Sequence, residues 1–414
     1  MHTITRRQFL VASGTAGVAA AVAGTGLISW RTLADRAATD PLPTGTRILV
    51  IVTLYGGNDG LNTIVPYQDS AYHEARADFG YTADQVLRLD DSLGLNPAMK
   101  GTAGLWSAGQ LAVVRGVGYP QPDRSHFRSM DIWQTASPAA PVNTGWIGRW
   151  LDNTGDDPVR AVNIGSVLPP LAVGAKGAAA ALSLGGRDLP SQLASAITGL
   201  GVSDPGDTPE QVSVATSYCS ERTVAATFAP VLSAGGSADP DPDESVPAAS
   251  GGAHSNLQQQ FDLVARCIKA GVPTTVYTVS LGGFDTHADE KSTQENQLGI
   301  LDAAMSGFLT DLATDQYGRN VVVMAYSEFG RRVQANASQG TDHGTAGPVL
   351  IAGVPVRGGF YGEQPSLTDL DDGDLKATVD FRTVYQELVG GVLGADPGLV
   401  VPDAPTVQQL GFLV

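Results

Sequence analysis

The sequence predicts an α/β fold with a mostly parallel sheet and helices on both of its faces. Continuous apolar, β-branched runs stand at 46–54, 110–117, 274–281 and 320–326. Such runs mark strands buried on both faces rather than one. Helical periodicity alternates with them. Leu257, Phe261, Val264 and Ile268 fall on one face, and Leu298, Leu301, Met305, Phe308 and Leu312 repeat the pattern. Strand and helix in alternation imply parallel pairing with crossover helices. The third observation concerns the loops. One strand run delivers Phe284-Asp285-Thr286-His287, and the next delivers Ser327-Glu328-Phe329-Gly330. Asp342-His343-Gly344 then leads into an apolar run at 348–351. Ligands bind beyond the carboxyl ends of strands in open α/β sheets, so these clusters fall where chemistry is expected.

In chain order, Arg6-Arg7 precedes a weakly apolar, Ala/Gly-rich run at 11–28. A charged region followed by such a run reads as a twin-arginine export signal. Small residues at Ala21-Val22-Ala23 and at Thr32-Leu33-Ala34 offer cleavage positions. Residues 1–38 are read as signal and linker, and 39–414 as a single folded domain. The expected destination is extracellular, periplasmic or the cell surface. No other stretch is long enough to span a bilayer. The net charge is −17 over 414 residues. It argues against a nucleic-acid partner and against an anionic membrane surface.

The strand at 46–54 breaks at Tyr55-Gly56-Gly57-Asn58-Asp59. Gly-rich turns can cradle anions through backbone N–H groups, but the G-x-G-x-x-G pattern of a dinucleotide site is absent. The run at 110–117 leads into a loop holding Arg124, Ser125, His126 and Arg128. Residues 146–151 suggest a helical turn against the core, and 160–164 and 171–173 short strands. Residues 209–231 suggest an amphipathic helix. Residues 233–252, rich in Gly, Ser, Pro and Asp, cannot support a core and read as a flexible surface loop. Ser255 is a candidate cap for the helix that follows. The two cysteines, Cys219 and Cys267, both fall in expected helices and are read as free thiols rather than a pair. The C-terminal part adds an apolar stretch at 353–361 and a helix from about 381 to 393.

Of six histidines, His126, His287 and His343 lie in loops after strands, beside an acid, an arginine or a glycine. His and carboxylate ligands on loops held by a rigid sheet are what divalent metals require. His73 and His254 sit in polar surroundings and His2 in the signal. Ser125 is adjacent to His126, but sequence neighbours seldom make a nucleophile–base pair. No G-x-S-x-G elbow occurs. Arg124 and Arg128 flank Ser125, as suits an oxyanion such as phosphate or sulfate; pairing with Asp123 and Asp131 is the other reading.

Taken together, GGNDGLNTIVPY, RSHFRSMDIWQTA, GGFDTHADE, YSEFGRR and GTDHGTAGPVLIAG resemble the domain-of-unknown-function family numbered 1501. That family is similar in turn to the alkaline phosphatase and sulfatase superfamily. The resemblance implies a three-layer α/β/α sandwich and divalent metal at a Ser or Thr nucleophile. Ser125 is then the candidate nucleophile, Ser129 the second choice, and Arg124 and His126 their catalytic neighbours. Asp285, His287 and His343 would hold one metal. Asp59 and Glu328 would serve the other, where Phe329 stands in place of a histidine. In a competing alignment Asp342 and His343 are that acid–histidine pair. One histidine is missing either way, so one ion is expected rather than two, with zinc, manganese and calcium as candidates. Two functions follow from this reading. One is an exported metal-dependent hydrolase of small or polymeric phosphate or sulfate esters; the other is a non-catalytic binding or assembly module that keeps the fold.

Overall fold

The apolar runs do become the centre of a sheet. The computed structural model describes residues 30–77, 79–155, 157–165, 167–182, 184, 256–406 and 409–414. The apolar run at 11–28, the expected helix at 209–231 with Cys219, the loop at 233–252, His254 and the cap at Ser255 all lie outside them.

Among the described residues nine strands form the main sheet: β1 (Ile48–Leu54), β2 (Leu111–Gly118), β3 (Ala161–Ile164), β4 (Ala180–Leu182), β5 (Val276–Leu281), β6 (Val321–Ser327), β7 (Gly347–Ala352), β8 (Gly359–Tyr361) and β9 (Val379–Asp380). Their order is β8-β2-β7-β6-β1-β5-β3-β4, with β9 also on β2. Every pairing is parallel except those of β7, which runs antiparallel to β2 and β6. Leu54 pairs with Leu281 on one side and Ser327 on the other, so β1, β5 and β6 end level. The reversed β7 begins at the edge where they end. That reversal brings the loop carrying His343 to the carboxyl ends of the other strands.

Alternation along β1 splits the core into two layers. Ile48, Val50, Val52 and Leu54 join one cluster, and Leu49 and Ile51 the other. Helices α1 (Trp30–Thr39), α3 (Lys100–Ser107), α6 (Leu257–Lys269) and α7 (Glu290–Leu312) cover the first face. Helices α4 (His126–Thr135), α5 (Trp146–Thr154) and α8 (Phe381–Gly391) cover the second. The architecture is therefore the expected three-layer α/β/α sandwich. A further helix, α2 (Ser70–Ala75), lies beside a small antiparallel sheet of Ile64–Val65, Gly94–Leu95 and Leu87–Arg88. Among the described residues, no helix is long and apolar enough to cross a membrane.

The structure departs from the sequence reading in three places. The folded part begins before residue 39, because Leu33 and Ala37 of α1 are buried in the core. Cleavage after Ala34 would remove Leu33 from that packing. Residues 171–173 are not a strand, since Pro170 opens a 3-10 turn over Pro170–Ala172. The cap of α6 is Asn256, whose side chain accepts from Gln259 N–H at 3.1 Å. Cys267 is buried and unpaired, and burial pushes its thiol up to about 12.

Candidate metal centre

The loops after β1, β5 and β6 are fixed by one guanidinium. Arg331 is fully buried and donates to the carbonyls of Gly57 (2.6 Å), Gly56 (2.5 Å), Phe284 (2.8 Å) and Thr341 (3.0 Å). Its remaining contact is Asp285 Oδ1 at 2.8 Å. The glycines opposite it are needed for space. A Cβ on Gly57, at φ +76°, would stand 2.2 Å from the Phe329 ring.

Around Asp285 the histidines gather. Nε2 of His287 and Nε2 of His343 each lie 3.1 Å from Asp285 Oδ1, and Nε2 of His126 lies 3.5 Å from it. The two exposed-side imidazoles are 3.0 Å apart through Nε2. His126, Asp285 and His343 offer one ligand atom each within 4.8 Å of one another. Ligand atoms sharing one zinc ion at about 2.0–2.1 Å stand roughly 3.3 Å apart, and the three separations from Asp285 Oδ1, 3.1 to 3.5 Å, are close to that spacing.

The other ring nitrogens are held from behind. His343 Nδ1 lies 2.9 Å from the Arg124 carbonyl, which can only accept, so that nitrogen carries the proton. His126 Nδ1 meets Glu328 Oε1 at 2.8 Å, and His287 Nδ1 lies 3.4 Å from Asp342 Oδ1. An acceptor on Nδ1 fixes the tautomer and leaves Nε2 as the ligand atom. Nε2 of His126 is buried without a hydrogen-bond partner, an orphan that a cation would satisfy. Three imidazoles and one carboxylate suit a transition metal such as zinc or manganese. They do not suit calcium, which takes oxygen ligands.

Charge follows the same geometry. Burial alone would raise the Asp285 carboxyl, but the neighbouring His126 and His343 imidazoles and the Arg331 guanidinium hold it well below the usual carboxylate range. Burial would lower His126, yet Asp285 and Glu328 together push it up to about 9.

The remaining expected site residues fall elsewhere. Glu328 is fully buried and orients rather than ligates: Oε1 accepts from Gly56 N–H (2.9 Å) and His126, and Oε2 from Ser327 Oγ (3.0 Å). Asp342 is exposed and stands behind His287. Asp59 is committed to Arg76, at 2.7 and 3.1 Å through its two oxygens, with both side chains fully buried. It also caps the turn Gly60–Thr63 through Leu61 N–H. A second metal on Asp59 would have to displace that guanidinium. Arg124 pairs with Asp374 and Asp372, and Arg128 with Asp131, so neither guanidinium is left for an oxyanion. Ser129 is buried, accepting from Tyr119 and donating to the Glu328 carbonyl. Ser125 holds the N-cap position of α4 without a side-chain cap bond, is exposed, and among the described residues its hydroxyl bonds no histidine. Sequence reasoning missed Arg331 and Arg76, whose roles depend on partners far along the chain.

With this geometry in hand, the chain can be set beside known proteins. Residues 237–408 match the family model described as Protein of unknown function (DUF1501). The motifs GGFDTHADE, YSEFGRR and GTDHGTAGP all lie inside that span. No curated protein matches the sequence. Solved structures similar to the chain include a protein in the alkaline phosphatase superfamily from Vibrio parahaemolyticus. It is 10% identical, with 83% of this chain and 73% of that chain covered, at a TM-score of 0.36. The C-terminal periplasmic domain of EcEptC from Escherichia coli, in complex with Zn, is 11% identical, with 90% and 93% covered, at 0.39. The alkaline phosphatase of the Antarctic bacterium TAB5 is 11% identical, with 74% and 92% covered, at 0.34. Likeness at this level leaves the chemistry to be read from this chain's own residues.

Proposed function

We propose that this chain is an exported hydrolase of phosphate or sulfate esters that works with one divalent metal ion. His126, His287, His343 and Asp285 would hold the ion. The observation that carries the proposal is the convergence of three Nε2 atoms on one Asp285 oxygen, each within 3.5 Å. A bound divalent ion supplies charge stabilisation and activates an oxygen nucleophile.

The protein's own residues set the rest of the site. Glu328, Asp342 and the Arg124 carbonyl aim the three rings. Arg331 fixes the Asp285 carboxylate and the loops of three strands. Ser125 lies between Arg124 and His126, both of which touch the cluster, and its hydroxyl is free to face a substrate. It also opens the ten-residue helix α4, whose N-terminus favours an oxyanion. Ser125 is accordingly the proposed nucleophile, and the twin-arginine signal the proposed route of export.

One observation favours a second reading, a metal-bearing binding module. Among the described residues no histidine is hydrogen-bonded to the Ser125 hydroxyl, and the neighbouring arginines are neutralised by acids. A panel of phosphate and sulfate esters, assayed with zinc and with manganese, separates the two. Hydrolysis that Ser125→Ala lowers by at least about a hundredfold, with metal content unchanged, supports the enzyme. Full turnover by Ser125→Ala removes the serine from the mechanism. No hydrolysis of any ester by the metal-loaded protein favours the binding module.

A further inference from the structure

Beside the metal centre lies a cleft of about 300 Å³, near the lower end of small-molecule sites. Phe329 forms the shared wall. Its ring stands 4.9 Å from the His126 ring and 4.8 Å from the His343 ring, and it also lines the cleft. Asp123 lines it too, accepting from Ser125 N–H at 2.7 Å, so the cleft opens beside the proposed nucleophile.

The lining carries three carboxylates and one ammonium, so its charge is mostly negative. Asp123, Asp371, Asp380 and Lys376 are its ionisable groups apart from Tyr119. Lys376 is paired with Asp369, and Asp380 is held by Arg382 at 2.7 and 2.9 Å. Asp371 is exposed, and among the described residues its hydrogen bonds are those of its backbone with Asp374. Among the described residues the cleft therefore presents carboxylate charge with no unpaired lysine or arginine in its lining. Pro120, Pro122, Leu375 and Ala377 supply apolar surface between the acids.

We infer that this cleft receives the alcohol part of the ester, and that this part is compact and uncharged or cationic, not anionic. The inference rests on the proposed hydrolase reading for its biological meaning. Sulfated polymers and nucleic acids fit it poorly, because a second negative charge would meet Asp371 and Asp123 across a short distance. A quaternary or primary ammonium beside an apolar body fits both features of the lining.

The test measures binding apart from turnover. Zinc-loaded full-length protein is titrated with benzyltrimethylammonium, benzyl alcohol and benzoate by ligand-observed NMR. The cation and the alcohol are expected to bind at least about tenfold more tightly than benzoate. Ala377→Trp, at an exposed position, should abolish both, and Asp371→Lys should reverse the order in favour of benzoate. Benzoate binding as tightly as the cation, or an order that Asp371→Lys leaves unmoved, overturns the inference. If Ala377→Trp fails to fold, the Asp371→Lys comparison decides alone. The same three groups are then offered as the alcohol parts of phosphate esters. Absence of all turnover with the binding order intact strikes the hydrolase reading and leaves the cleft assignment standing.

Discussion

Asp59→Asn and Glu290→Gln should have opposite consequences, although both carboxyls face one buried guanidinium. Arg76 holds Asp59 through two contacts, at 2.7 and 3.1 Å, and reaches Glu290 Oε1 only at 3.8 Å. All three side chains are fully buried. Burial would raise Asp59, but the Arg76 charge and its hydrogen bonds lower it, so Asp59 carries the charge. Burial and then the Asp59 charge push Glu290 up to about 9 from 4.5, so Glu290 carries the proton. Asp59→Asn leaves a buried guanidinium without its counter-charge, at a cost of about 3–5 kcal/mol. Glu290→Gln replaces a neutral acid by a neutral amide of the same shape and should cost about 1 kcal/mol or less. The sign of the pH dependence follows. A carboxyl raised on folding contributes stability that is complete below pH 4.5 and is lost as pH rises through about 9. Glu290→Gln lacks that loss, so it should gain on the parent protein between neutral and alkaline pH. Urea unfolding at pH 7 and at about pH 9.5 measures both effects. Equal destabilisation by the two variants at pH 7 would refute the assignment, because Glu290 would then be the charged partner of Arg76.

Glu328→Gln should weaken zinc binding by about 10–100-fold while leaving the fold intact, since it disturbs only the acceptor behind His126; unchanged affinity in a competition titration would count against that role. Replacing Arg6 and Arg7 by Lys should hold the protein in the cytoplasm, and fractionation showing normal export would remove the twin-arginine proposal.

The sheet and the residues at its edge were largely legible in the sequence. Apolar runs ending in Asp285, His287 and Glu328 marked strands and their loops, because a strand buried on both faces leaves little other pattern. The same logic separated His126, His287 and His343 from His73, whose Nε2 is taken by the Tyr67 carbonyl at 2.9 Å. The roles of the acids were not legible. Asp59 and Glu328 look alike in sequence as acids after strands, and only their partners distinguish a charge pair with Arg76 from a support for His126. Those partners lie 17 and 202 residues away. The direction of β7 was equally hidden, because an apolar run has no polarity. Yet that direction brings His343 to the same edge as Asp285. Leu33 was read as signal because small residues flank it, while its burial depends on helices far along the chain.

The claim tested most directly is that His126, His287, His343 and Asp285 form a single metal centre. Elemental analysis of protein purified without chelator, beside His343→Ala prepared identically, makes that test. One transition-metal ion per chain is expected, with most of it lost in His343→Ala. Metal-free protein that takes up no added zinc or manganese, or a His343→Ala variant that keeps its full complement, would contradict the account.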